Sequence, residues 1–151
     1  MTNHHCSVVK LASIGVLVEG PSGAGKTSVC LGLIEHCKRT GIDAALVSDD
    51  QVLLSVENNT LIAQAPRSIA GKIEIRGFGI SKIKHEPRTD VHLVARIIAD
   101  EKITRMPSPA NCELHGVTLK LCEIPTRHEQ AGIRIIIAKL IEQFPTGEFK
   151  L

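Results

Sequence analysis

Gly20-Pro21-Ser22-Gly23-Ala24-Gly25-Lys26-Thr27 is the stretch that most narrows what this chain can become. It satisfies G-x-x-x-x-G-K-[ST] at every fixed position, a loop that works only between a strand and a helix. Both flanks are present. Ile14 to Glu19 is an apolar strand, and Lys26 to Thr40 places Val29, Leu33, Ile34 and Cys37 on one helical face. In that setting backbone N–H groups turn inward around phosphate oxygens. Lys26 neutralises charge on the outer phosphates, Thr27 offers its hydroxyl to Mg²⁺, and the helix N-terminus adds positive potential. Residues Gly20, Pro21, Ser22, Gly23, Ala24, Gly25, Lys26 and Thr27 are therefore the candidate ATP site.

The remaining pattern is rich in strands. Val8 to Leu11 and Ala44 to Val47 read as strands, and Gly41 stops the first helix. Val52–Val56 and Leu61–Ala65 flank Glu57-Asn58-Asn59-Thr60, a hairpin turn. Lys72–Arg76 alternates as a strand, Val91–Ile98 is apolar, and Glu113–Glu123 alternates again. The segment from 99 to 111 reads as a loop, and Arg127–Phe144 as the last helix. One helix between strands, then many hairpin-like strands, predicts an α/β fold around a mixed sheet. The 151 residues suit a single domain, with no internal repeat.

Composition excludes several classes. Eighteen basic and sixteen acidic residues leave a net charge of +2, and Tyr and Trp are absent. A nucleic-acid surface is not expected from such a chain. No apolar run is long enough to span a membrane, and Met1–His5 is too polar to begin a signal peptide. Cys6, Cys30, Cys37, Cys112 and Cys122 form no Cys-x-x-Cys pair, which suits reduced thiols in the cytoplasm. His4, His36, His85, His92, His115 and His128 show no metal spacing and read as structural.

A phosphate loop needs an acidic partner at the end of a neighbouring strand. "AALVSDD", Ala44 to Asp50, supplies two carboxylates. One can face a metal while the other takes a proton from an attacking hydroxyl. "KIEIRGFGI", Lys72 to Ile80, then sets Glu74 and Arg76 on one strand face before a glycine pair. A Glu74–Arg76 ion pair is the plain structural alternative there.

Together these stretches resemble the catalytic domain of HPr kinase/phosphorylase, the bacterial serine kinase of the phosphotransferase system. That family carries E-[IV]-R-G-[LF]-G-I, matched by Glu74 to Ile80. Its A-D-D is similar to Ser48-Asp49-Asp50. Its histidine ten residues before a G-V-L-[IV] strand corresponds to His5 before Gly15-Val16-Leu17-Val18. The resemblance runs from about His5 to Leu140. It implies a P-loop kinase fold like that of phosphoenolpyruvate carboxykinase, ATP and Mg²⁺ as cofactors, and an HPr-like phosphocarrier as partner. It implies Asp49 as the base, with Asp50 beside it, and His5 assisting. It also implies Thr27 and Glu74 as Mg²⁺ ligands, Arg105 as a catalytic arginine, and a homo-oligomer, a hexamer in the full-length family.

The departures are local. The family usually has a separate N-terminal domain, and this sequence begins where the catalytic domain would, so a likeness to the shortened form of some proteobacteria is expected. The family's late P-[VT]-R-P-G-R-N stretch stands here as Pro125-Thr126-Arg127-His128-Glu129-Gln130-Ala131. In the family it is tied to phosphorolysis, so kinase action is expected to carry over better than the reverse reaction. Two other functions share the phosphate loop: a small-molecule or nucleotide kinase, and a nucleotide-binding regulator with reduced catalysis.

Overall fold

The computed structural model describes residues 1–151. The elements run β1 (Thr2–His4), β2 (Cys6–Leu11), β3 (Ile14–Glu19), α1 (Lys26–Arg39), β4 (Ala44–Ser48), β5 (Val52–Glu57) and β6 (Thr60–Gln64). Then follow β7 (Lys72–Ile75), β8 (Gly79–Lys82), β9 (Arg88–Ile98), β10 (Ala110–Leu114), β11 (Val117–Pro125) and α2 (Glu129–Gln143). No helix is long and apolar enough to cross a membrane.

Nine strands form one mixed sheet, in the order β1-β5-β6-β9-β3-β2-β4, with β11 also on β9 and β10 on β11. The mixed sheet expected from the sequence is present. Its parallel pairs are β3–β9 and β9–β11, and the rest are antiparallel. β9 joins the two parts. Arg88–Asp90 pair with β6, while Leu93–Ile98 pair with β11.

Alternation along the strands divides the interior in two, because successive side chains point to opposite faces. Val9, Leu11, Val16, Val18, Leu93, Ala95 and Ile97 face a core shared with α1 and α2. Val8, Leu17 and Val94 face the second core with Leu54, Leu61 and Leu119. β3 is apolar from Ile14 to Val18 because both of its faces are covered there. The helices approach closely where Gly32 of α1 meets α2. A Cβ there would lie 2.3 Å from Ile133 Cδ1.

Several expected boundaries move, among them the start of the last helix, at Glu129 rather than Arg127, and of β2, at Cys6 rather than Val8. The alternation over Glu113–Glu123 is two strands, split by a tight turn at His115 (φ 50°) and Gly116 (φ 79°). The apolar step from Leu114 to Val117 is three, and that break in period was the signal. β9 begins three residues earlier than its apolar run. The last residues of the expected 99–111 loop enter β10. β7 ends at Ile75, so Arg76 lies in the turn to β8, and these two strands form a separate small sheet. The Asn58-Asn59 turn stands as expected, with both residues at positive φ.

The small sheet is tied to the body at its root. Ile73 is buried in the helix-side core, and burying such a side chain contributes about 1.5–3 kcal/mol. Leu46 N donates to Lys84 O at 3.2 Å, and Glu86 N to Leu46 O at 2.9 Å. Its tip leaves Phe78 (75% exposed) and Ile80 (63%) on the surface.

Candidate active site

β3 delivers the phosphate loop and α1 leaves it. Gly25 is the helix N-cap at φ 105°, a left-handed conformation that suits glycine, and no side chain caps the helix. The first N–H groups of α1 therefore remain available at the loop. Lys26 is buried, and its ammonium donates to the carbonyls of Gly20 (3.1 Å) and Pro21 (3.2 Å). At the root of the loop, Arg96 Nε of β9 donates to Glu19 Oε2 at 3.2 Å.

The acidic pair lies just beyond β4. The Ser48 hydroxyl bonds to the Gln51 carbonyl and curls the chain there. Asp49 turns inward and Asp50 outward. Asp49 is 8% exposed. Its Oδ1 accepts bonds from Thr27 Oγ1 (2.8 Å) and Ser7 Oγ (3.0 Å), and its Oδ2 lies 3.5 Å from Glu74 N. Asp50 sits at φ 66° with its carboxylate half-exposed, and His5 Nδ1 is 3.4 Å from its Oδ1.

The structure thus gathers Lys26, Thr27, Asp49, Asp50, His5 and the backbone of Glu74. The Glu74 side chain is exposed and makes no ion pair with Arg76, so the plain structural alternative for that pair is absent. Arg105 does not join the group. It lines a cavity of about 460 Å³ with Leu121, Cys122, Lys139 and Glu142, against β11 and α2. By contrast, Arg127 and His128 border a cleft of about 320 Å³ with Gly23, Ala24 and Gly25 of the loop. The altered late stretch therefore faces the phosphate loop. Ser7 was not singled out from sequence. A serine in an apolar strand carries no motif, and its role depends on a residue 42 positions away.

The donor set fits Mg²⁺. A Thr hydroxyl and a carboxylate oxygen 2.8 Å apart are hard ligands beside a phosphate loop. No three His, Cys, Asp or Glu cluster to hold an ion by themselves. That suits an ion that takes one or two protein ligands and completes its shell with water and phosphate.

The thiols are packing groups. All five cysteines are unpaired, and burial pushes Cys6 and Cys122 up to about 12. A thiol so shifted is a poor nucleophile near neutrality.

The profile of the HPr Serine kinase C-terminal domain matches residues 1–144. HPr kinase/phosphorylase of Lactobacillus acidophilus is 31% identical over 102 residues, which is 62% of this chain and 30% of that protein. The enzyme of the same name from Chlorobium chlorochromatii is 32% identical over 135 residues, 81% of this chain and 39% of its own length. The chain thus spans well under half the length of these relatives. The solved structure of the Hpr(Ser) kinase/phosphatase from Coxiella burnetii superposes with a TM-score of 0.78 at 24% identity, over 94% of this chain and 98% of that one. That likeness is one of fold. With the profile covering nearly the whole sequence, the chain belongs to the HPr serine kinase C-terminal domain family.

Proposed function

We propose that this protein is an ATP-dependent protein-serine kinase acting on HPr or an HPr-like phosphocarrier of the phosphotransferase system. The observation that carries the reading is the pairing of Thr27 with Asp49 directly beside Asp50 and His5, all at the mouth of the phosphate loop. Phosphoryl transfer needs little more than positioning and charge neutralisation. The loop amides and Lys26 would cradle the phosphates, and the Arg127–His128 cleft lies beside them. Thr27 and Asp49 would hold Mg²⁺, with Glu74 at the rim. When bound, the ion neutralises charge on the phosphate oxygens. A seryl hydroxyl would attack the terminal phosphorus as the bond to the leaving ADP oxygen breaks, and its proton would pass to a carboxylate.

Geometry divides the two aspartates. Asp49 Oδ1 already accepts two hydroxyl bonds and faces the metal position. Asp50 opens toward solvent, within reach of His5. We therefore give the proton to Asp50, with His5 assisting, and the metal to Asp49. The assignment of the proton to Asp49, implied by resemblance, is the second reading. Asp49→Asn and Asp50→Asn variants separate the two.

Three wider parts of the proposal rest on the resemblance and, for the compartment, on the unpaired cysteines. The chain would self-associate, with the exposed Ile75, Phe78 and Ile80 available for burial. It would favour phosphorylation over phosphorolysis, and it would work in a reducing compartment, the cytoplasm. Light scattering checks the first, since a strict monomer would refute it. Pyrophosphate release from phosphoserine carrier and phosphate checks the second.

The deciding experiment is incubation with labelled ATP, Mg²⁺ and an HPr-type carrier. Label on a carrier serine is expected. Label only on a small molecule would make this a small-molecule kinase, and nucleotide binding without transfer would make it a regulator.

A further inference from the structure

Ser7 is fully buried, yet it lies at the end of an apolar strand next to two carboxylates. Its hydroxyl makes two bonds at once. It donates to Asp49 Oδ1 at 3.0 Å and accepts from Asp50 N at 2.9 Å. One oxygen therefore fixes the side chain of the first aspartate and the backbone of the second.

The backbone is arranged to allow this. β2 pairs with β4 with a register shift, Val8 opposite Ser48 but Val9 opposite Leu46, leaving Val47 as the extra residue of a bulge. The Ser48–Asp49–Asp50 corner is thereby brought beside Ser7. Asp50 at φ 66° occupies a region that non-glycine residues seldom adopt, and the bond from its N–H holds it there. Two residues earlier, His5 meets the same Asp50 from outside. The entrance of β2 thus grips both aspartates, Asp49 through Ser7 and Asp50 through Ser7 and His5.

We infer that Ser7 is the positioning residue of the acidic pair, setting Asp49 against Thr27 and aiming Asp50 outward from one shared hydroxyl. It touches no reacting atom. The inference rests on the proposed phosphoryl-transfer reading but can be judged apart from it. Without the hydroxyl, Asp49 keeps only the Thr27 bond on Oδ1, and the Asp50 N–H loses its partner. Small misplacements of such groups are costly to rate, so Ser7→Ala should lower kcat by roughly ten- to a hundredfold. KM for ATP should change little, because the loop amides and Lys26 are untouched.

The test uses Ser7→Ala and Ser7→Thr, the second retaining a hydroxyl. Transfer to the carrier is measured for kcat and KM. Mg²⁺-dependent ATP binding is measured by calorimetry, and melting temperature is followed for both. Reduced kcat and a raised Mg²⁺ midpoint in Ser7→Ala, restored in Ser7→Thr, are expected. Unchanged kcat and Mg²⁺ midpoint in Ser7→Ala would overturn the inference. So would a Ser7→Thr as slow as Ser7→Ala, or a loss that vanishes once temperature is held well below melting. If wild type binds Mg²⁺ and ATP but labels no serine, the kinase reading fails, and the Mg²⁺ midpoint still decides for or against Ser7.

Discussion

The phosphate-loop side of the candidate site is enclosed, while the side of His5 and Asp50 is open. On the first, Lys26 and Asp49 are both buried, each held by two hydrogen bonds under 3.3 Å. On the second, the His5 and Asp50 side chains are 68% and 56% exposed, and their contact is 3.4 Å. The difference follows from what each side would receive. Nucleotide phosphates need preorganised donors in a sheltered place, where each interaction counts for more. A protein serine must be able to arrive from solvent, so its partners cannot be covered. The small β7–β8 sheet reaches both sides. Its Glu74 N–H lies at Asp49, while its tip projects Phe78 outward.

The sharpest test removes the proposed proton acceptor of the open side. Asp50→Asn should lower transfer by about 10²–10⁴-fold while leaving ATP affinity near wild type, since a positioned base is worth that much. Transfer assays with parallel ATP titrations check it. If Asp49→Asn alone shows that pattern, the division of labour between the two aspartates is reversed.

On the enclosed side, Lys26→Ala should lower transfer by roughly 10²–10³-fold and also weaken ATP binding, because a buried charge aimed at the phosphates is lost. Calorimetry and rate measurements give the two numbers. Wild-type affinity with normal turnover would break the assignment of the loop as the nucleotide site.

Glu74 joins the two sides and should give a smaller effect. Glu74→Gln is expected to raise the Mg²⁺ concentration needed for half activity by roughly tenfold, the lower end of what losing a supporting group at a metal site costs. Melting temperature should hold, since the side chain is exposed and unpaired. A large drop in melting temperature with an unchanged Mg²⁺ requirement would make Glu74 structural.

The smallest effect concerns the foot of the phosphate-loop strand. Gly15 N donates to His92 Nδ1 at 3.0 Å, so the neutral ring carries its proton on Nε2. Burial lowers the pKa of His92, against a smaller opposing pull from Asp90. A histidine lowered on folding stabilises fully above its unfolded value, near 6.5, and loses that contribution as pH falls toward the folded value. Melting temperature should therefore decline from pH 7.5 to 5.5, and His92→Asn should flatten that decline. An equal slope in both proteins would remove His92 from the account.

Much of this was legible in the sequence. The phosphate loop, its strand and its helix were readable because the chemistry needs residues within one short run, Gly20 to Thr27. The acidic pair and the Glu74–Ile80 signature were readable as motifs, and the Asn58-Asn59 turn as local backbone preference. The split at His115-Gly116 was also present, as a break in period, but it was masked by alternation on both sides.

Local sequence determined which groups this protein offers for the proposed phosphate chemistry: a lysine, a threonine, two aspartates and a histidine. Tertiary structure alone decided how they are placed. It buried Asp49 and exposed Asp50, although the two are neighbours in the chain. It recruited Ser7, left Arg105 beside another cavity, and laid Arg127 along the phosphate loop. The reason is that each of these contacts spans strands far apart in sequence, and depends on sheet register and one bulge. Motif spacing reports what lies within a turn or two of chain, whereas register is settled only when two hydrophobic faces have closed around the sheet.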